Sequence, residues 1–350
     1  MTTHERELHL PVDLATADGR RLNPDAVGWS RFPLHTANLR GRWGRTKRWD
    51  YWAILAGDLV ISAVYADVDY VGLADVWWAD LPSGRSGGAS IASPLARGVT
   101  LPDRPGSAAL SIHRSRLHLA MVDDDSEGDG GGATRITASW SEPDGRPGRL
   151  DATVQLPAGH ESLNVVIPWS DERFQYTSKH QARPVTGTFE VGGTVTDLGA
   201  VAGGAWGVLD VGRGRWPYET RWNWGGGAGR SSADGPVVGL QFGAKWTEGT
   251  GHTENGFLID GHLTKIGREL TWDYDWDHPM KPWTVSDADG QIEARLSPRY
   301  DRYSKTDAAV LRTEVHQVFG TWSGEVTDDD GRRVTFDGLQ GFAEESRSRW

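Results

Sequence analysis

Hydrophobic and polar residues alternate with a period of two along much of this chain. Between 149 and 156, Leu150, Ala152, Val154 and Leu156 share one face while Arg149, Asp151, Thr153 and Gln155 share the other. Between 291 and 297, Ile292, Ala294 and Leu296 oppose Gln291, Glu293, Arg295 and Ser297. Side chains of an extended chain point to opposite faces in turn, so this pattern predicts half-buried antiparallel strands. Further strands are predicted at 49–56, 58–68, 70–80, 107–113, 116–122, 133–140, 162–168, 185–191, 205–211, 237–243, 268–276, 309–319 and 332–336. Asp144-Gly145, Asp260-Gly261, Asp289-Gly290, Asp330-Gly331 and Asp337-Gly338 are hairpin-type dipeptides between them. Helical periodicity is almost absent, with room for a turn or two at 300–308. Many short strands with turn chemistry between them predict an all-β chain of barrels or sandwiches.

Two distant stretches resemble each other. His180-Gln181, Gly187-Thr188-Phe189 and then Asp210, Arg213, Arg215 and Trp216 are matched by His316-Gln317, Gly320-Thr321-Trp322 and then Glu344, Arg347, Arg349 and Trp350. The spacing is too long for a solenoid unit and right for a small barrel, so it reads as a duplication. The expected units are 1–216, with an amino-terminal extension, and 217–350, the boundary falling somewhere in 193–220.

Composition narrows the choice. With 45 Gly and 17 Pro in 350 residues, a helical bundle or coiled coil is excluded. A hydrophobic fraction of 37% with 18 Trp supplies a core. Zero Cys removes disulfides, thiolate catalysis and cysteine zinc sites. A net charge of −11 makes nucleic acid and anionic membranes poor partners. No apolar run approaches the roughly 20 residues of a membrane-spanning helix, and MTTHERELHLPVD lacks the apolar core of a secretory signal, so a cytoplasmic location is expected.

The strings NLRGRWGRTKRWDYW (38–52), SKHQARPVTGTFEVGG (178–193), RGRWPYETRWNWGGG (213–227), KWTEGTGHTENG (245–256) and HQVFGTWSGEV (316–326) resemble a bacterial family, domain of unknown function 2804, over nearly the whole chain. That family carries no assigned activity, so the resemblance transfers no catalytic residues. It is in turn similar to proteins of two lipocalin-like barrels, carotenoid hydratases and Diels–Alder cyclases among them. The resemblance implies two antiparallel lipocalin-like (calycin) β-barrels in tandem, with little helix.

Candidate chemistry concentrates in three places. The run 213–224 holds Arg213, Arg215, Trp216, Tyr218, Glu219, Arg221, Trp222, Asn223 and Trp224, an aromatic wall with fixed polar groups at the expected junction of the units. It fits a ligand cavity or an interdomain plug. In 245–256, Lys245, Trp246, Glu248, His252, Glu254 and Asn255 flank two glycines that could bring Lys245 and Glu254 together across a hairpin; a polar surface loop is the plainer alternative. In 272–278, Trp272, Tyr274 and Trp276 oppose Asp273, Asp275 and Asp277, and three like charges on one face point outward. His180 and His316 read as structural hydrogen bonders, and Asp210 and Glu344 as ion pairs closing each barrel.

The 123–132 stretch, DDDSEGDGGG, lacks the twelfth-position Glu of a calcium loop and reads as a solvated hairpin. Metal-ligand spacing and the common hydrolase and nucleotide motifs are missing, so no metal or cofactor is expected. The sequence alone leaves open whether the chain is an enzyme. Its favoured function is binding of an apolar small molecule, a terpenoid, lipid or polyketide. If it converts that molecule, the expected chemistry is acid-assisted hydration, cyclisation or isomerisation with Glu219 or Glu254 as acid, and Arg215, Trp216, Tyr218, Trp222, Asn223, Trp224, Lys245, Trp246 and Asn255 as the binding set. Carbohydrate binding or cleavage, and a purely structural role, are the alternatives.

Overall fold

The computed structural model describes residues 3–124, 131–308 and 311–349. Part of the acidic loop and Trp350 of the repeat lie outside them. Two large curled antiparallel sheets follow one another along the chain. Among the described residues the helical content is two single 3-10 turns, Pro24–Ala26 and Leu198–Ala200.

The first sheet has 13 strands. Its main path runs Arg85–Pro94, Val71–Asp80, Leu59–Asp67, Thr46–Ala56, Ala205–Arg215, Phe174–Val191, Pro147–Leu156, Gly132–Ser141, Leu117–Asp124 and Leu110–Arg114. The second has nine, in the order His262–Ile266, Asn255–Ile259, Val237–Ala244, Glu219–Arg230, Arg333–Arg349, Leu311–Thr327, Ile292–Ala308, Trp283–Ser286 and Thr271–Asp273. The change of sheet falls between Arg215 and Glu219. Residues 300–308 continue a strand instead of forming a helical turn. The strand predicted at 268–276 shrinks to Thr271–Asp273. Beyond it Asp275 binds His278 and Lys281 at the surface, at 2.9 and 2.8 Å.

Each sheet wraps its own core. Ile54, Ile61, Val76, Leu119, Ile136, Val154 and Phe189 pack inside the first, and Leu240, Phe257, Trp283, Leu296, Val318 and Phe336 inside the second. The alternation predicted for 149–156 and 291–297 puts Leu150, Ala152 and Val154, and Ile292, Ala294 and Leu296, into these cores.

A third set of apolar groups joins the units. Ala53, Leu55, Val60 and Val208 of the first sheet meet Trp224, Phe319 and Phe342 of the second. The amino-terminal extension adds a strap: Glu5 is buried against Lys265 Nζ at 2.5 Å. The strand Phe174–Val191 carries the one irregularity that matters for the site. A bulge between His180 and Arg183, with Ala182 at φ 57°, reverses the phase of alternation. Lys179 therefore faces the junction between the sheets, while Val185 and Phe189 enter the first core.

Candidate active site

A cavity of about 340 Å³ lies at this junction. The two sheets build it from equivalent rungs. In the first, Asp210 is paired with Lys179 on one side and Tyr51 on the other, and two residues on, Gly212 is paired with Thr177 and Trp49. In the second, Glu344 is paired with Gln317 and Trp224, and two residues on, Ser346 is paired with Val315 and Trp222. Each sheet thus sends one carboxylate and two aromatic rings into the cavity from matching positions. The connecting residues Trp216, Trp246 and Glu254 complete the wall, with Gln175, Arg302, Ser304 and Val64.

Glycines make room for these groups. A Cβ on Gly212 would stand 2.1 Å from the Trp49 ring, and one on Gly243 would stand 2.2 Å from Glu254 Oε1. With Gly212 bare, Trp49 lies flat across the neighbouring strand and its Nε1 donates to Asp210 Oδ2 at 3.0 Å. At the matching position Trp222 Nε1 donates to Glu344 Oε1 at 2.7 Å. Trp246 Nε1 donates to Glu254 Oε1 at 2.6 Å, Trp216 Nε1 to Gln175 Oε1 at 2.7 Å, and Trp224 Nε1 to Gln241 Oε1 at 3.1 Å. Five indole N–H groups are thus bonded to the protein, and the rings offer the cavity their carbon surfaces. Trp216 and Trp246 stack with centroids 5.3 Å apart, and Tyr51 meets Trp224 edge-on.

One ammonium serves two carboxylates. Lys179 Nζ is 2.9 Å from Asp210 Oδ1 and 3.2 Å from Glu254 Oε2; the second contact is within ion-pair range but off-line for a hydrogen bond. It also stands 4.5 Å from the centroid of Trp224. Burial opposes its charge, yet Asp210 and Glu254 outweigh that and hold its pKa above the ordinary lysine value. Burial raises the Glu254 carboxyl to about 7, with Asp210 adding to the effect and Lys179 opposing it. Burial raises Glu344 to about 7 as well, against the Trp222 hydrogen bond and the more distant pull of Lys179. Near neutral pH this group of acids retains a proton that solvent-exposed carboxylates would have lost.

The predicted residues separate cleanly. Trp216, Trp222, Trp224, Trp246 and Glu254 line the cavity. Glu219 lies outside it with a side chain 76% exposed, 3.8 Å from Arg349, because strand alternation turns it away from Trp222 and Trp224. Arg215 is buried on the opposite face, donating to the carbonyls of Gly19, Arg20 and Arg40. Tyr218 is partly exposed beneath Arg349. Asn255 is structural, accepting from Gly243 N and donating to Arg268 O.

Asn223 and Lys245 belong to a different depression, where Lys245 pairs with Glu345 at 3.2 Å. The expected Lys245–Glu254 pair therefore does not form; Lys179 takes its place. Nor does Asp210 pair with Arg213, which binds Asp50 at 2.6 Å. His180 and His316 are not on matching rungs: His180 is paired with Leu209 and His316 with Glu345. Lys179, Gln175 and Thr177 were missed, though they form a polar row opposite Phe174 and Tyr176 in a buried strand.

The family model described as domain of unknown function (DUF2804) matches residues 5–350. The chain belongs to the DUF2804 family. No curated protein matches it. Among solved structures, this DUF2804 chain is similar to CghA, at 11% identity and a TM-score of 0.45 over 97% of each chain. It is likewise similar to CghA with Sch210972, at 12% and 0.47 over 97% of each chain. Kievitone hydratase from Nectria haematococca matches at 13% and 0.48, over 87% of this chain and 89% of that one. At these identities no residue role passes from those proteins to this DUF2804 member. Among its described residues no group of three or more His, Asp or Glu is placed to hold a metal ion, and no helix is long and apolar enough to cross a membrane.

Proposed function

We propose that the junction cavity binds an apolar, unsaturated small molecule of terpenoid, lipid or polyketide type and protonates it. One observation carries this reading: three buried carboxylates line one cavity, two of them sharing a single ammonium and the third without one, inside a wall of indole rings whose N–H groups are already bonded. The volume suits one small ligand.

Glu344 has no cation within ion-pair range among the described residues and holds its proton near neutral pH, so it is the donor. Transfer of that proton to one carbon of a double bond forms a C–H bond and leaves a cation on the other carbon. The faces of Trp222, Trp224 and Trp216 stabilise that positive charge. Attack by water, with its surplus proton passing to Glu254 or Asp210, completes a hydration. Loss of a neighbouring proton to the same acceptors gives isomerisation, and capture by a second double bond gives cyclisation. Lys179 opposes the burial that raises Glu254 and holds both acceptors in place.

A carbohydrate would need hydrogen bonds to its hydroxyls, and the bonded indoles leave few donors for that. The test is native mass spectrometry of protein purified from its own host, followed by incubation of any retained molecule with wild type, Glu344→Gln, Glu254→Gln and Glu219→Gln. Conversion lost in Glu344→Gln and kept in Glu219→Gln is expected. Full activity of Glu344→Gln, or saturable binding of oligosaccharides alone, overturns the reading.

A further inference from the structure

We propose a second ligand site, separate from the junction cavity: a pocket at the mouth of the first sheet that takes an apolar molecule bearing a carboxylate, with Arg183 as the receptor for its charge. A cavity of about 430 Å³ opens there between the inner face of the sheet and residues 104–108. Its apolar floor is Trp52, Leu110, Met121 and Leu209, all part of the first core.

Arg183 is the unusual group. It is only 4% exposed, yet it makes no ion pair with a carboxylate among the described residues. Its Nε donates to Gln155 O at 2.9 Å and its Nη2 to Val154 O at 3.1 Å, and its guanidinium lies 5.1 Å from the centroid of Trp52. No hydrogen bond engages Nη1 within the described residues, and the side chain lines the cavity. A buried cation whose hydrogen-bond partners are all neutral, and which Asp123 attracts only from beyond ion-pair range, is costly unless a further anion completes it. Burial draws its pKa down to about 10, which leaves it fully charged at neutral pH.

The surroundings fit an incoming anion. Asp50 also lines the cavity but is neutralised by Arg213. His180 lines it with Nδ1 buried and unpartnered, while its Nε2 is held by Ser178 Oγ at 3.0 Å. Burial and the neighbouring Arg183 keep this imidazole neutral, so Nδ1–H is a donor once Nε2 accepts from Ser178. Exposed Arg104 stands at the rim, and Asp123 is the one further acid of the lining. Two donors, Arg183 and His180, thus meet above an apolar floor. The bulge that sends Lys179 into the junction is what turns Arg183 to this side.

The probes are decanoate and its neutral counterpart decan-1-ol, followed by calorimetry and by NMR of carboxyl-labelled decanoate on the full chain. One decanoate per chain is expected, with decan-1-ol weaker by about tenfold or more. Arg183→Gln should lose the same factor and the thermal stabilisation that decanoate gives the wild type. Val315→Trp, which fills the junction cavity, should keep decanoate affinity.

Equal binding of acid and alcohol, undiminished binding by Arg183→Gln, or loss of binding in Val315→Trp would each overturn the proposal. If Arg183→Gln fails to fold, Met121→Trp, which fills the floor and leaves the cation, must abolish binding. Failure of this site leaves the junction chemistry untouched, because the two are read on different variants.

Discussion

Replacing Glu344 with Gln keeps the side-chain shape and the acceptor for Trp222 Nε1, but removes one titrating proton from the junction. The carboxyl stands at about 7 against an ordinary value of 4.5. At about 1.4 kcal/mol per pH unit, that difference is worth roughly 3 kcal/mol. The sign follows from linkage: the native state keeps the proton where the unfolded chain has lost it. The group's contribution to stability is therefore complete below pH 4.5 and lost as pH rises through about 7. Coupling to Lys179 and Asp210 spreads the effect, so the expected change lies between about 1.5 and 3 kcal/mol. The assay is denaturant unfolding of wild type and Glu344→Gln from pH 5 to pH 8, read as the difference between the two proteins so that titrating groups not coupled to Glu344 cancel. The variant should gain on the wild type by that amount across the range. A difference that stays flat to within about 0.5 kcal/mol would mean that Glu344 ionises like a surface acid, and the proton-donor assignment would fall with it.

Two further outcomes are expected. Lys179→Met strips the cation from two buried carboxylates and should cost about 3–5 kcal/mol near pH 8, less near pH 5 where Glu254 and Glu344 have taken up protons; equal destabilisation at both pH values contradicts the shared-ammonium arrangement. Gly243→Ala places a methyl on the Glu254 carboxylate and should lower turnover of a retained substrate by about tenfold or more while the sheets still form, checked by kinetics alongside circular dichroism.

The strands legible from the sequence are those buried on one face. Pro147–Leu156 and Gly132–Ser141 alternate because one side packs on the core and the other meets water. Ala205–Arg215 is buried along its whole length and Phe174–Val191 nearly so; both faces are covered, the polar–apolar rhythm vanishes, and both were read too short. Glu219–Arg230 is largely buried too, and its glycines hid it altogether. The same cause limited the reading of the site. The Trp-rich run at 213–224 stands out by composition, but dividing it into cavity wall and outer face needs the phase of each strand, which puts Trp222 and Trp224 inside and Glu219 outside. The Lys179–Glu254 contact joins strand and loop in different sheets, and nothing in either local pattern points to the other. Gly212 and Gly243 become informative only when the rings and carboxylates they admit are known.

The matched rungs of the two sheets allow a sharper test, because their charged groups differ in kind at one place. Asp210 faces Lys179, and Glu344 faces Gln317. That single difference gives one carboxylate a permanent counterion and leaves the other to depend on its proton. Gln317→Lys restores the symmetry: on the geometry by which Lys179 reaches Asp210 at 2.9 Å, the new ammonium meets Glu344. An opposite charge within about 4–6 Å lowers a carboxyl pKa by about 1–3 units, enough to ionise Glu344 throughout the neutral range. The variant should fold, lose the stability decline between pH 5 and pH 8 that Glu344 causes, and lose conversion of the bound substrate while still retaining the molecule. If Gln317→Lys keeps both the pH dependence and the turnover, the proton that does the chemistry does not sit on Glu344, and the asymmetry of the rungs has no catalytic meaning.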